Sequence, residues 1–457
     1  MSKSTERGLI RMPGGDAGLI LGVLFALYAG FTLIGVLLGL DANGLASTLQ
    51  RITFFAAVYA LLALALNLQW GYAGLFNIGV AGFMAVGVYT MAMLTAPVNP
   101  EAGGVPGLGL PLLVGIVGGM LAAALVGAIT ALPALRLKAD YLAIVTLALS
   151  EIIRITYNST SLQTFSVAGI RLGTGASQGM PLPSNPINAL FYSNARSPAS
   201  PPTLLGEAVF GIFGPLGIEG TTVVDWAYTF VLIVFVGLFY VVLSRVGNSP
   251  FGRVLKAIRE DELVATSLGK RTSRFKIKVF MLGCAFMGLG GILWQGSQSY
   301  VSPTSFLPTL TFYIFIALII GGAGSNTGSV IGGALFVGLL FEGPTFVRRL
   351  VDQLLSLGDA PNTFVAAVAP LASLDVVPLF SFLLANLASF RFVLVGVVLV
   401  YFIQNRPQGL LGHRKEIASS VDLSQRQPQP GRADGGRTLN HFGEDRPREE
   451  FNDGEQR

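Results

Sequence analysis

Residues that could perform acid–base or metal chemistry are scarce in this sequence. Its 457 residues include one cysteine, Cys284, and two histidines, His413 and His441, both in the polar C-terminal region. One cysteine excludes an internal disulfide framework and a multi-cysteine metal site. No histidine, cysteine pair or group of carboxylates falls within the long apolar stretches. We therefore expect no catalytic centre, metal ion or cofactor in this chain, which disfavours a membrane-embedded enzyme.

Glu151 and Arg154 are two charges in an apolar stretch that extends from about residue 140 to residue 157. They are three residues apart, so they share one face of a helix and can form an ion pair. A single charge at the centre of a bilayer costs about 2.5–3.5 kcal/mol on insertion scales, which favours pairing. We interpret them as a structural pair. The alternative is a proton or ion relay of the kind that a secondary transporter needs, and one pair gives it little support.

A second group of polar residues surrounds a glycine-rich interruption of the apolar sequence. It consists of Asn67, Gln69, Tyr72, Gly74 and Asn77. A helix that breaks at membrane depth leaves backbone groups free, which is tolerated only where protein or a cavity covers them. Such breaks in transporters often mark the solute path. The alternative is a tight turn between two spans, in which the polar side chains satisfy the turn.

A comparable interruption lies at residues 321–332 and contains the sequence GGAGSNTGS. This stretch resembles a phosphate-binding loop at first sight. The Walker pattern requires a lysine directly before its serine or threonine, whereas Gly328 precedes Ser329 and no lysine is near. The sequence therefore predicts no ATP site in this chain.

Residues 249–269 form a charged segment that also carries apolar residues at helical spacing. The apolar positions are Val254, Leu255, Ile258 and Leu263. Pro250 suits the first turn of a helix, and Gly269 can end one. The pattern predicts an amphipathic helix across the base of the membrane domain. Such a helix can enter a groove on a soluble partner, or it can lie at the membrane interface with a solvated charged face.

Long apolar helices must carry these residues. Of the whole chain, 52% is hydrophobic and 12% is charged, about half the charged share of a globular domain. Apolar runs of about 17–25 residues can cross a bilayer as helices. We therefore predict an all-α, polytopic integral membrane protein, with interrupted helices near the solute path and about ten transmembrane helices. The predicted spans are residues 17–40, 52–70, 74–95, 108–134, 140–157, 226–244, 275–297, 306–323, 326–347 and 385–404.

The distribution of lysine and arginine predicts the orientation of these spans. Residues 245–278 contain nine basic residues and should therefore be cytoplasmic. Ten spans place the N-terminal segment 1–16 and the tail that begins near Arg406 on the same side. Arg348 and Arg349 are exceptions, because they fall on the opposite side.

The predicted transmembrane domain at residues 17–404 contains two long polar connections. One is a cytoplasmic segment at 245–274. The other is a proline-rich external loop at 158–225, which is either a docking surface for an extracytoplasmic partner or a solvated loop. The polar tail at 405–457 is poor in large apolar residues, and we predict that it is cytoplasmic and disordered.

Five stretches of the sequence resemble one known family and occur in the order of its motifs. They are LNLQWGYAGLFNIGVAGFMAVGVYT (66–90), RLKADYLAIVTLALSEIIRI (136–155), SPFGRVLKAIREDELVATSLG (249–269), GGAGSNTGSVIGGALF (321–336) and NRPQGLLG (405–412). Together they resemble the LivM-type permeases of ABC transporters for branched-chain amino acids. The similarity covers roughly residues 50–345 and the last span.

This resemblance implies a non-catalytic transport subunit in the cytoplasmic membrane. A second permease subunit, two cytoplasmic ATPase subunits that hold ATP and Mg²⁺, and an extracytoplasmic solute-binding protein would complete the importer. No nucleic acid is implied. In the family, the stretch that matches 249–269 contacts the ATPase subunits. The candidate coupling residues are therefore Arg253, Glu260, Asp261, Glu262, Ala265 and Gly269.

The resemblance also implies the class of solute, namely Leu, Ile, Val or related small amino acids and amides. The sequence departs from the family pattern at 158–225, with TGASQGM, and at 348–390, which is extended. Both departures leave open how a binding protein docks and which solute it brings. The alternative function is an ion-coupled secondary transporter, which would need several ionisable residues within the spans.

Overall fold

The computed structural model describes residues 15–100, 104–134, 139–355, 360–373 and 375–411. The predicted disorder of the polar tail concerns residues that lie almost entirely outside these ranges, as does the predicted N-terminal segment. Both therefore stay predictions.

Within the described residues the fold is almost entirely helical. The α-helices are α1 (Gly15–Leu37), α2 (Ala42–Leu66), α3 (Val80–Thr95), α4 (Leu112–Ala134), α5 (Ala139–Asn158), α6 (Asn188–Phe191), α7 (Leu204–Phe213), α8 (Gly220–Asn248), α9 (Pro250–Glu260), α10 (Glu262–Ser267), α11 (Thr272–Gln295), α12 (Pro308–Gly321), α13 (Asn326–Leu335), α14 (Gly343–Leu355), α15 (Phe364–Val368), α16 (Val377–Ala385) and α17 (Leu387–Asn405). Two π-helical segments, Asn67–Tyr72 and Phe336–Glu342, continue α2 and α13. Short 3₁₀ helices lie at Thr160–Leu162, Ala176–Gln178, Gly214–Leu216, Pro303–Phe306 and Ala369–Ser373.

Helices cover all ten predicted spans, although not all of these helices have the length of a span. Six are long and apolar enough to cross a membrane: Gly15–Leu37, Ala42–Tyr72, Leu112–Pro133, Gly220–Asn248, Thr272–Gln295 and Asn326–Leu354. By contrast, α3 has 16 residues and α12 has 14, or roughly 24 and 21 Å at the α-helical rise. Both are shorter than the hydrocarbon core of about 30 Å. The polytopic helical class is thus confirmed, whereas the number of spans stays a prediction.

The centre of the bundle is α2, in which every side chain from Ala56 to Leu66 is buried. It packs against α8, α11, α12 and α13, while α3 packs against α4, α5 and α11. Glycines allow the closest crossings. A Cβ on Gly333 would lie 2.7 Å from the backbone nitrogen of Ala60, and one on Gly87 would lie 2.6 Å from the Cα of Gly288. These helices therefore touch backbone to backbone, as small residues permit in membranes.

The long segment between α5 and α8 is folded against the bundle. It contains an antiparallel hairpin of β1 (Phe165–Val167) and β2 (Ile170–Leu172), and β3 (Met180–Pro181), which pairs with β4 (Tyr300–Val301) after α11. The Thr174 hydroxyl donates to the carbonyl of Tyr157 at the end of α5. Met180 is completely buried. The proline-rich loop predicted at 158–225 is thus a small structured cap, and docking to it stays a prediction.

Candidate functional site

Two interrupted helices meet at Asn67. The first interruption follows α2, where residues 74–79 have no regular secondary structure before α3 begins, and the second separates α12 from α13. The Asn67 Oδ1 accepts a hydrogen bond from the backbone nitrogen of Gly324 at 2.7 Å. Its Nδ2 donates to the Oδ1 of Asn326 at 3.1 Å. One buried amide at the end of α2 therefore joins the first break to the second, and it satisfies a backbone nitrogen that the second break leaves free.

The side chains of Gln69 and Asn77 form hydrogen bonds across the first break. The Asn77 Nδ2 donates to the Gln69 Oε1 at 2.8 Å, and the Asn77 Oδ1 accepts from the backbone nitrogen of Gly79 at 2.8 Å. The Gln69 Nε2 donates to the carbonyl of Phe280 in α11 at 2.9 Å. Both side chains are completely buried. In this conformation the amides stabilise the turn itself, so contact with a solute would require these bonds to open.

Tyr72 and Gly74 lie on the other side of the break, against α9. The Lys256 Nζ is 5.5 Å from the centroid of the Tyr72 ring, a cation–π geometry. Gly74 has a φ of +70°, and a Cβ there would lie 3.3 Å from the Cγ of Arg259. The five residues predicted for the solute path therefore divide into two groups. Asn67, Gln69 and Asn77 hold the breaks together, whereas Tyr72 and Gly74 contact the amphipathic helix.

The strongest link between α9 and the break is formed by Arg259. Its guanidinium donates to the backbone carbonyl of Gly71, in the π-helical segment that ends α2. A carbonyl at a helix end has lost its partner in the next turn, and a charged donor compensates for that loss. Arg259 also lies 3.6 Å from the carboxylate of Glu260. Sequence reasoning missed this contact, because nothing in the local pattern connects residues 188 positions apart.

The amphipathic segment consists of two helices, and the prediction of one helix across 249–269 was wrong. Ser249 caps α9, with its Oγ accepting from the backbone nitrogen of Gly252 at 3.2 Å. Asp261 is extended, with a φ of −156°, and its carboxylate caps α10 by accepting from the nitrogens of Leu263 and Val264. Gly269 has a φ of +76° and lies just beyond α10. The chain therefore turns at Asp261.

The candidate coupling residues differ in exposure. Arg253, Glu260, Asp261 and Gly269 face solvent. Ala265 is only 3% exposed, and the Glu262 carboxylate pairs with Lys276 of α11. Both residues thus contact the rest of this chain, although the Glu262 side chain is still 43% exposed. Their assignment as contacts for an ATPase partner stays a prediction.

Sequence reasoning identified only one of the most exposed apolar residues of this region. Leu263, Val264 and Leu268 are 80%, 54% and 73% exposed. Leu263 was placed in one apolar stripe with Val254, Leu255 and Ile258 because a continuous helix was assumed. The signal that could have corrected this is an aspartate directly before a helix-forming stretch, which is a common start of a helix.

On α5, Arg154 Nε donates to the Glu151 Oε2 at 2.9 Å, and a second bond joins Nη2 to Oε1. Such a bidentate geometry is the strongest form of this pairing. Each charge thus has its counter-charge on the same helix. Among the described residues, no three His, Cys, Asp or Glu side chains come together as a metal site.

Residues 405–411 close the C-terminal end of α12. The backbone nitrogens of Leu410 and Leu411 donate to the carbonyls of Ile320 and Gly321, at 2.9 and 3.1 Å. A Cβ on Gly409 would lie 2.5 Å from the Cα of Gly322. This segment therefore provides donors for carbonyls that the second break leaves free.

A bundle of apolar helices with paired central interruptions, contacted by an amphipathic helix pair, defines a polytopic membrane transport protein. Residues 48–356 match the family described as branched-chain amino acid transport system / permease component. This range covers more than half of the chain, and the chain belongs to that family. It is accordingly a multi-pass protein of the cytoplasmic membrane.

The chain is similar to several characterised permeases. It is 33% identical to the high-affinity branched-chain amino acid transport system permease protein LivM of Escherichia coli over 282 residues, which is 61% of this chain and 60% of the relative. A probable LivM protein of Methanocaldococcus jannaschii is 26% identical over 315 residues, 63% of this chain and 79% of the relative.

More distant similarity extends to the permease protein LivH of Salmonella typhimurium, 28% identical over 144 residues, 31% of this chain and 44% of the relative. The matched region spans about 60% of the length of the E. coli and Salmonella LivM proteins. No solved structure matches the chain at a significant level.

Proposed function

We propose that this chain is the membrane-spanning permease subunit of an ATP-driven importer for branched-chain amino acids or related small amino acids and amides. Family membership gives the class of transport subunit. The observation that carries the coupling to ATP is the contact of α9 with the broken end of α2 through Arg259 and Gly71.

In this proposal α9 and α10 transmit the motion of a cytoplasmic ATPase to the helix breaks. The exposed apolar residues Leu263, Val264 and Leu268 enter a groove on that partner. A shift of α9 displaces the Gly71 carbonyl, and Asn67 passes the displacement to the second break. Alternating access then follows from two packed arrangements of the same helices.

The remaining parts of the importer lie on other chains. Two ATPase subunits hold ATP and Mg²⁺, so this chain itself is non-catalytic and needs no cofactor. A second permease subunit covers part of the exposed apolar surface of the bundle. An extracytoplasmic binding protein delivers the solute to the folded cap at 158–225.

An ion-coupled secondary transporter explains fewer observations. Such a protein needs ionisable groups that can change charge along the path. The pair formed by Glu151 and Arg154 is already satisfied, and no carboxylate or imidazole is among the residues predicted for the solute path. It would also leave the exposed apolar surface of α10 without a role.

The decisive experiment changes that surface and measures partner retention. Leu263→Asp and Leu268→Asp should abolish co-purification of the ATPase subunits with the tagged full-length chain from its own membranes, because a charge would enter a dry interface. ATP-dependent uptake of L-leucine into membrane vesicles should fall with it. Both side chains are solvent-exposed, so the fold should be unaffected.

Leu204→Asp is the matched control, because Leu204 is 87% exposed in the folded cap, on the opposite face of the predicted topology. It should leave ATPase retention unchanged. Unaltered co-purification and uptake in both α10 variants would contradict the proposal, as would leucine accumulation that an ionic gradient alone drives without nucleotide.

A further inference from the structure

A polar cavity of about 600 Å³ lies at the opposite end of the bundle from α9 in the predicted topology. It is bounded by the first half of α2, the start of α8, the turn after α11 and the start of α14. Its wall is contributed by residues 47–55, 185, 225–228, 297–298 and 342–349. The charge pattern predicts each of these stretches at or near the extracytoplasmic end of a span. The structure thus brings together positions that the topology places on one side.

Four charged side chains line this cavity, two of each sign: Arg51, Asp225, Glu342 and Arg349. The Arg51 Nε lies 3.0 Å from the Glu342 Oε1, so these two charges cancel. Asp225 and Arg349 form no ion pair with another described residue. The cavity is therefore electrically balanced overall, yet it presents one free carboxylate and one free guanidinium.

Arg348, the residue before Arg349, has different partners. Arg348 lies 3.5 Å from the carboxylate of Asp352 and donates to the carbonyl of Ala385. Its charge is thus satisfied away from the cavity. Arg348 and Arg349 are the two exceptions to the predicted positive-inside pattern, and their side chains lie in different surroundings. Of these two, only Arg349 lines the cavity.

Aromatic rings form one part of the remaining wall, and uncharged polar side chains form much of the rest. Phe54, Phe346 and Tyr228 line the cavity and are nearly buried. The Tyr228 hydroxyl donates to the carbonyl of Leu293 at 2.6 Å, which occupies its polar end. The Arg349 guanidinium lies 5.6 Å from the centre of the Phe346 ring. A cation and an apolar surface are therefore adjacent, whereas a site for an inorganic anion would need no apolar wall.

We propose that this cavity binds the zwitterion of an α-amino acid with an aliphatic side chain. Arg349 receives the carboxylate, Asp225 receives the ammonium group, and the aromatic wall receives the side chain. This inference rests on the proposed function, which it deepens by assigning an entry site separate from the helix breaks. The balanced charge favours a zwitterion over a net anion or cation, since either would leave one charge of the cavity unmatched.

Ligand binding to the full-length chain in lipid nanodiscs tests this assignment, with saturation-transfer NMR as the readout. L-leucine carries both charges, N-acetyl-L-leucine lacks the ammonium group, and L-leucinamide lacks the carboxylate. We expect leucine to bind and each analogue to bind about two- to fivefold more weakly, the range for loss of one half-exposed charge contact.

The variants should show a crossed pattern. Asp225→Asn should weaken leucine binding by about two- to fivefold but leave N-acetyl-L-leucine binding unchanged, and Arg349→Gln should weaken leucine binding while leaving L-leucinamide binding unchanged. Asp352→Asn and Arg348→Gln are the matched controls, because their charges pair outside the cavity. Neither should alter leucine binding.

The comparison of the three ligands needs no variant, so it holds even if a substitution impairs folding. Absence of leucine binding, or equal binding of leucine and both analogues, overturns the proposal. Equal effects of Arg349→Gln and Arg348→Gln also overturn it. ATPase retention, measured in the same preparations, reports on the proposed function separately, so that failure of one is distinguishable from failure of the other.

Discussion

At the scale of single residues, Arg259 connects the amphipathic helices to the interior of the bundle. Its guanidinium bonds to the Gly71 carbonyl, whereas the outward-facing residues of α9 and α10 are free to meet a partner. In the proposed mechanism, the residue that transmits motion is thus distinct from the residues that receive it.

Arg259→Ala should therefore uncouple transport while retaining the ATPase subunits. Loss of a charged donor to a buried carbonyl costs about 1.5–3 kcal/mol, so leucine uptake per ATP hydrolysed should fall roughly tenfold or more. Parallel measurement of uptake and hydrolysis in membrane vesicles checks this ratio. Arg253→Ala, on the exposed face of α9, should instead weaken partner retention, and an unchanged ratio in Arg259→Ala would contradict the role assigned to Gly71.

The ion pair on α5 gives a second prediction at this scale. Arg154→Ala leaves the Glu151 carboxylate without its counter-charge, at a cost of about 2.5–3.5 kcal/mol near the bilayer centre. Expression and the thermal unfolding midpoint should fall, and the doubly neutral Glu151→Gln/Arg154→Gln variant should recover most of the loss. Normal expression of Arg154→Ala together with uptake that no longer responds to a proton gradient would support the relay instead.

At the scale of helices, glycine sets the distance between α2 and α13. The Gly333 position has no room for a Cβ, because the backbone of Ala60 is 2.7 Å away. Gly333→Ala should destabilise the protein by about 1–3 kcal/mol, the range for overpacking, in thermal unfolding followed by size-exclusion chromatography.

Gly237 of α8 provides the matched control for this prediction. A Cβ there meets nothing within 4 Å, so Gly237→Ala should be neutral or stabilising by up to about 1 kcal/mol, the difference in helix propensity. Equal destabilisation by both substitutions would show that helix packing is not the cause.

Also at this scale, sequence reasoning located the helices better than their ends. Apolar length and charge reveal a helix, because both are local properties of the chain. The extended residue Asp261 divides the amphipathic segment into α9 and α10. Its side chain caps the start of α10, which explains why a second helix begins there. The strands β1 to β4 have two or three residues each, too few for an alternating pattern to be visible.

The candidate site was predictable from the sequence only in part, because many of its contacts join residues that are far apart in the chain. Glycines and amides in one short stretch indicate a break, and this much is local. The partner of Asn67 is a loop 257 residues away, and the cavity collects side chains from five separate stretches. Contacts of this kind depend on topology, which no short pattern encodes.

At the scale of the whole molecule, the proposed coupling surface and the proposed entry site lie far apart. The proposed coupling surface lies on α10, and the proposed entry site lies at the other end of α2 and α8. Helix α2, whose side chains are all buried from Ala56 to Leu66, runs between them. A substitution at one end can therefore alter transport without a direct contact with the other end.

The bonds from Leu410 and Leu411 to the end of α12 bear on biosynthesis. A ribosome delivers α12 roughly ninety residues before the segment that satisfies its last carbonyls. During that interval water or the membrane insertion machinery must provide partners for these carbonyls in the nascent chain. Folding of this bundle is therefore complete only after residues 409–411 have been synthesised. A nonsense mutation just upstream of residue 409 would release a product in which the last carbonyls of α12 lack these donors.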